Sequence, residues 1–199
     1  IDGSALKLSE FKGKVIVVVN VASQCGFTNQ YEDMQQVWDK YQEKGIVIIG
    51  VHSNDFGEQE PGSNKDIKNF CEAKFGISFP MTEKVKVKGD NAHPFYIWAK
   101  ENHGKSAIPK WNFHKILINK EGKIHDVYSS FTKPTSKKIT SEIEKIYITA
   151  SGGPFLNPSF LACANLTIVN NGSFLVAALS NGTINPSLLP GLVNNPSNP

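Results

Sequence analysis

Two runs of β-branched residues constrain this chain more than any other feature. Lys14–Asn20 (KVIVVVN) and Ile46–Val51 (IVIIGV) are apolar at nearly every position, which is how a strand reads when both faces of its sheet are covered. A helical pattern lies between them. Met34, Val37, Trp38 and Tyr41 share one face, Asn29 and Glu32 have the spacing of a capping box, and Gly45 supplies a stop. Strand, helical crossover and strand together predict a parallel pair.

The remaining patterns complete this layout. A helix is expected to open at Ser63 and Asp66, carry Ile67, Phe70, Cys71 and Phe75, and stop at Gly76. Another is expected to begin near His93-Pro94, and a last one spans roughly 136–148. Phe113–Ile118 and Lys123–Tyr128 flank Lys120-Glu121-Gly122 as a hairpin. The expected fold is α/β, a thioredoxin-like sandwich with a central mixed sheet flanked by helices.

Charge splits the chain in two. Lys, Asp and Glu are mixed up to about Ala150, whereas Ser151–Pro199 holds no charged residue and is rich in Asn, Ser, Gly and Pro. Ser151-Gly152-Gly153-Pro154 cannot continue a helix. The expected division is therefore a domain over residues 1–150 and an uncharged tail over 151–199. Leu166–Val169 and Ser173–Leu179, with Asn171-Gly172 between them, give the tail a hairpin signal. No chemistry is legible in it. A net charge of +3 gives no ground for a nucleic-acid partner, and no apolar run reaches the length of a membrane span. All basic side chains are Lys; the absence of Arg removes the planar fork that clamps carboxylates and phosphates. Three cysteines, Cys25, Cys71 and Cys163, show neither a zinc spacing nor a disulfide-rich pattern, which suits a reducing compartment. The cytoplasm comes first on that ground. A periplasmic or secreted address stays open, because the chain starts at Ile1 with no leader in view.

The chemistry centres on Asn20–Thr28 (NVASQCGFT), which puts Cys25 just after the first core strand and before a helix. Helix N–H groups there favour the thiolate, and Gly26 would let the backbone turn and leave the sulfur open. Placement alone leaves a reactive thiol and a small buried core residue equally open. The wider string resolves the choice. NVASQCGFT, FGEQEPGS (Phe56–Ser63) and WNFHKILI (Trp111–Ile118) resemble three hallmark segments of glutathione peroxidases, in the same order. FPMTEKVKVKG (Phe79–Gly89), AHPFY (Ala92–Tyr96) and YSSFTKP (Tyr128–Pro134) extend the resemblance, which covers Ile1 to about Ile148 and excludes the tail.

The resemblance implies a thiol peroxidase that needs no cofactor and no metal. Cys25 would reduce hydrogen peroxide or organic and lipid hydroperoxides and become a sulfenic acid. Gln59 matches the family's catalytic glutamine, and Trp111 and Asn112 match its Trp-Asn pair. Cys71, in KNFCEAKFGISFP, stands where thioredoxin-recycled relatives carry a resolving cysteine. It also shares a helical face with Ile67 and Phe75, so a core role competes. Glu101–Lys110 lacks the long insertion of the tetrameric animal relatives, which implies a monomer or weak dimer. With no Arg, thioredoxin is expected as the reductant ahead of glutathione. Val51-His52-Ser53-Asn54-Asp55 departs from the family's usual Phe-Pro-Cys-Asn-Gln, and His52 reads as a bystander. Cys163 is expected to be inert.

Other redox chemistries lack a required residue. A disulfide oxidoreductase wants Cys three after Cys25, where Thr28 stands; a copper-delivery protein wants it four after, where Asn29 stands. A peroxiredoxin would have Pro and Thr or Ser upstream, where this chain has Val-Asn-Val-Ala. The alternative from another class is a peroxide-sensing relay that passes oxidation from Cys25 to a partner protein.

Overall fold

The computed structural model describes residues 1–149, 166–168 and 174–176. The apolar runs become β1 (Val15–Val21) and β2 (Ile46–His52), every residue of each buried. They pair in parallel, Val15 opposite Ile46 through Val21 opposite His52. Between them runs α1 (Gln30–Tyr41). After β2 come α2 (Asn64–Phe75) and α3 (Pro94–His103), then the hairpin β3 (Lys115–Ile118) and β4 (Ile124–Tyr128), then α4 (Lys137–Thr149). β3 lies antiparallel to both β1 and β4, so the sheet order is β2-β1-β3-β4. This is the mixed sheet the sequence predicts.

Side-chain alternation along β1 builds two cores. Val15, Val17, Val19 and Val21 point to one face, where they meet Met34 of α1, Ile67 and Cys71 of α2, and Ile139 and Ile143 of α4. Ile16 and Val18 point to the other, onto Phe95, Trp98 and Ala99 of α3. Period-two alternation under helices on both faces explains why the strands read as unbroken apolar runs.

The helices are held unequally. α1 buries Gln30, Tyr31, Met34, Val37 and Tyr41, and α3 buries Phe95, Tyr96, Trp98 and Ala99. α2 fully buries only Ile67 and Cys71. A buried Ile side chain contributes roughly 1.5–3 kcal/mol; α2 has one such anchor and the buried Cys71, with Phe70 and Phe75 only partly buried against the same core, plus its caps. Those caps are well formed. The Ser63 hydroxyl accepts from Asp66 N–H while the Asp66 carboxylate accepts from Ser63 N–H, and Gly76 closes the helix in the left-handed region.

One local expectation needs correction. Asn29 makes no side-chain cap to α1 and is itself helical in φ and ψ, so the Asn29/Glu32 capping box does not form. The chain enters α1 instead through successive tight turns, Thr28 N–H to Cys25 C=O and Gln30 N–H to Phe27 C=O. Beyond α4, β5 (Leu166–Ile168) and β6 (Phe174–Val176) pair antiparallel, where the tail shows its hairpin signal. The proposed boundary at 151–154, the Asn171-Gly172 turn and Cys163 lie outside the described residues. Among the described residues no helix is long and apolar enough to cross a membrane.

Candidate active site

The end of β1 delivers Ala22–Thr28 to the rim of the sheet. Thr28 fastens this loop: its hydroxyl donates to the Ala22 carbonyl at 3.0 Å and accepts from Cys25 N–H at 2.9 Å. Cys25 is half-buried, and its Sγ accepts from the Phe27 N–H at 3.4 Å. The donor at the sulfur is therefore a turn amide; α1 proper begins only at Gln30, so the expected seat directly on a helix start is corrected. Gly26 is corrected as well. Its φ lies outside the left-handed region, and an added Cβ would meet nothing within 4 Å, so the turn does not require glycine.

The loop after β2 brings Gln59 to the same rim. Gly57 and Glu58 both have positive φ, 62° and 53°, a conformation glycine tolerates and glutamate adopts at some cost. The turn is braced by the Asn54 side chain, which accepts from Glu60 N–H at 2.7 Å. Gln59 then ties to the cysteine loop through its carbonyl, which accepts from Gln24 N–H at 3.0 Å. Its side-chain oxygen accepts from the Asn112 amide at 3.0 Å.

Trp111 and Asn112 come from the segment leading into β3, and Asn20 at the end of β1 places them. Its amide donates to the Trp111 carbonyl at 3.0 Å, its Oδ1 accepts from His114 N–H at 3.1 Å, and its carbonyl accepts from Phe113 N–H at 2.6 Å. Phe113, fully buried, sits at φ 62°, which is unusual for a bulky residue and turns the chain between Asn112 and His114. Asn112 is fully buried, and its Oδ1 has no hydrogen-bond partner. Trp111 is 40% exposed and leans on Phe56, ring centroids 5.7 Å apart. Gln59 and Asn112 are thus directly joined, and Gln59 is joined to the cysteine loop. No side chain of Gln59, Trp111 or Asn112 hydrogen-bonds the Cys25 sulfur among the described residues. Phe131, 83% exposed, meets Phe27 edge-on at 5.2 Å, which gives the cysteine loop an apolar border.

Cys71 is fully buried on α2, in the core cluster against which Cys25 packs from the rim. Burial raises its thiol pKa to about 11, against a lowering hydrogen bond from Tyr31 and with Glu60 and Glu72 adding to the rise. Sequence reasoning missed what surrounds it. The Tyr31 hydroxyl lies beside the Cys71 thiol and 3.5 Å from His52 Nδ1. His52 Nδ1 is 3.0 Å from Glu60 Oε2, and the other Glu60 oxygen accepts from the Ser23 hydroxyl. Tyr31, His52 and Glu60 are each fully buried. The sequence-level signal was the replacement at His52, which reads as a bystander until its neighbours are known. Lys115 is a second surprise. It is buried on β3 with Nζ 2.5 Å from Gln30 Oε1, and desolvation lowers its pKa to about 7. A cavity of about 330 Å³ lies elsewhere, between the first residues (Ile1, Leu6) and Phe79, Met81 and Tyr96, and none of Cys25, Gln59, Trp111 and Asn112 lines it.

Known proteins resemble this chain in sequence and fold. The glutathione peroxidase family model matches residues 1–100. The hydroperoxy fatty acid reductase gpx1 of Synechocystis sp. is 43% identical over 154 residues, spanning 73% of this chain and 90% of that protein. The glutathione peroxidase-like peroxiredoxin gpx1 of Schizosaccharomyces pombe is 41% identical over 147 residues, spanning 73% and 92%. Among solved structures, Trgpx in its apo form superposes with a TM-score of 0.57 at 33% identity, covering 74% of this chain and 94% of its own. A thioredoxin-like superfamily protein, SPOA0173, superposes with a TM-score of 0.54 at 22% identity, which speaks for the fold alone. By family match, by relatives and by fold, this chain belongs to the glutathione peroxidase family.

Proposed function

We propose that Cys25 is the peroxidatic nucleophile of a thiol peroxidase that Cys71 resolves and thioredoxin recycles. The carrying observation is the joining of two loops at one rim: a half-exposed sulfur with a backbone donor, tied through Gln24 and Gln59 to the buried Asn112 amide. Cys25 attacks the terminal peroxide oxygen, the O–O bond breaks, and the alcohol or water leaves with a proton; the sulfur is oxidised to sulfenic acid. The amides of Gln59 and Asn112 and the indole N–H of Trp111 are neutral donors. They can orient the peroxide and stabilise the leaving oxygen without competing as acids or nucleophiles. The chemistry is assigned to residues 1–150, and none of it needs a metal or cofactor.

Two features support the finer choices. Cys71 belongs to the core cluster against which Cys25 packs and rides on the helix with the fewest fully buried side chains among the described residues, so α2 can loosen to bring the two Cα atoms within the roughly 7 Å that a disulfide requires. The apolar border made by Phe131 and Phe27 suits a fatty hydroperoxide, the class in the Synechocystis relative's name, and equally a docked protein reductant. The cycle suits a monomer or weak dimer in a reducing compartment, the cytoplasm first.

The test is steady-state NADPH consumption with a fatty-acid hydroperoxide, comparing thioredoxin and its reductase with glutathione and its reductase. Many turnovers with thioredoxin, at a rate at least about tenfold above glutathione, are expected. Equal rates would overturn the choice of reductant, and arrest after one equivalent would favour the peroxide-sensing relay. Within the cycle, Gln59→Ala is expected to slow Cys25 oxidation by about 100-fold, the scale of one lost transition-state donor. Stopped-flow oxidation of the prereduced enzyme measures this directly; an unchanged second-order rate removes Gln59 from the chemistry.

A further inference from the structure

We propose that Glu60 is a positioning residue for peroxide attack: its buried carboxylate, held by His52, bonds Ser23 and so fixes the Gln59 turn against the Cys25 loop. The inference rests on the roles proposed for Cys25 and Gln59 and names the group that holds the two together.

The need for such a group follows from where the two loops start. β1 and β2 end side by side, Val21 opposite His52, and Cys25 and Gln59 lie in the loops that leave from that pair. The second loop is also strained. Glu58, immediately before Gln59, has a φ of 53°, which a residue other than glycine keeps only where its surroundings over-determine it. Glu60, immediately after Gln59, supplies that restraint. It is fully buried. Its N–H donates to the Asn54 side chain at 2.7 Å, and its carbonyl accepts from Lys84 Nζ at 3.2 Å. One carboxylate oxygen accepts from the Ser23 hydroxyl in the cysteine loop, and the other lies 3.0 Å from His52 Nδ1.

The side chain at this point does more than fill space. Taking a carboxylate out of water is costly unless it is paired and hydrogen-bonded, and His52 offers no full countercharge, because burial keeps its imidazole neutral against the pull of Glu60. An apolar residue would avoid that cost. What the carboxylate adds is a directed bond to each of two elements, Ser23 in the cysteine loop and His52 at the end of β2. The imidazole proton is assigned to Nδ1, which donates to the carboxylate; Nε2 is buried without a partner and is left as a bare lone pair. His52 stands where the family's usual string has Pro, which carries no side-chain donor, so this anchor belongs to this chain. The Ser23–Glu60 bond then runs beside the backbone bond from Gln24 N–H to the Gln59 carbonyl at 3.0 Å, and together they join the two loops next to the Gln59 amide. A displacement of about 1 Å in a group that acts on the reacting atoms can cost about 100-fold in rate. Loosening this pair of bonds therefore reaches the chemistry through Gln59.

The experiment is a double-mutant cycle on the prereduced enzyme. Stopped flow gives the second-order rate of Cys25 oxidation by peroxide. Iodoacetamide labelling read by mass spectrometry gives the rate of Cys25 alkylation, which needs the thiolate but not the Gln59 amide. Glu60→Ala should slow oxidation about tenfold and leave alkylation within about twofold of wild type. In a Gln59→Ala background, where the amide to be positioned is gone, the same substitution should change oxidation by less than about twofold. Ser23→Ala cuts only the bond between the loops and leaves Glu60 on His52, so it decides the matter if Glu60→Ala does not fold. Oxidation should then fall roughly threefold, again only with Gln59 present. A merely structural role would lower oxidation and alkylation in proportion, or add its loss to that of Gln59→Ala. Either result, or a wild-type oxidation rate in the folded variants, would overturn the positioning role alone. A Gln59→Ala enzyme that oxidises at the wild-type rate would overturn the role of Gln59 and that of Glu60 with it.

Discussion

Cys25→Ser is expected to bring peroxide consumption down to the uncatalysed background, a loss on the order of 10⁴-fold or more. A serine hydroxyl at neutral pH is neither ionised nor soft enough to attack an O–O bond, and nothing else at the rim can substitute. Gln59, Asn112 and Trp111 are donors without nucleophilic character, and Cys71 is fully buried with its pKa raised to about 11. The substitution is nearly isosteric, and the loop is held by Thr28 rather than by the sulfur, so folding should be preserved. Oxygen-electrode or ferrous-dye measurement of peroxide loss checks the outcome. Retention of even a tenth of wild-type activity would move the nucleophile elsewhere.

Cys71→Ser should separate the two halves of the cycle. Cys25 should still consume one equivalent of peroxide, leaving a sulfenic acid that a dimedone-type reagent traps nearly stoichiometrically. Thioredoxin-supported turnover should drop on the order of 100-fold, because the dithiol reductant has lost the intramolecular disulfide it would exchange with. Full thioredoxin-driven turnover in this variant would return Cys71 to the core role that its neighbours Ile67 and Phe75 also permit.

Much of the fold was legible because its determinants are local. Val15–Val21 and Ile46–His52 announce their burial residue by residue, and Ser63 with Asp66 and Gly76 mark both ends of α2. Asn29 misled because its type and spacing suit a cap while its backbone is already helical, the entry turns being satisfied by Cys25 and Phe27 carbonyls instead. The candidate site was legible only as motif. Sequence placed Gln59, Trp111 and Asn112 near Cys25 through resemblance. The hydrogen bonds that gather them span wide separations, such as Asn20 to Trp111 and Asn112 to Gln59, and no local pattern encodes them. His52 shows the limit most clearly. A histidine at the end of a buried strand has no meaning until Tyr31 from α1 and Glu60 from the following loop close around it.

If Cys71 resolves Cys25 as proposed, the way α2 is anchored also sets how much oxidant the enzyme survives. Once Cys25 is a sulfenic acid, it can be captured by Cys71 or struck by another peroxide and driven to the sulfinic state, from which thiols do not rescue it. On the proposed cycle, the rate at which α2 lets Cys71 reach Cys25 decides that race. Deeper burial of this helix would raise thermal stability and, by the same change, leave the protein easier to inactivate during an oxidant burst.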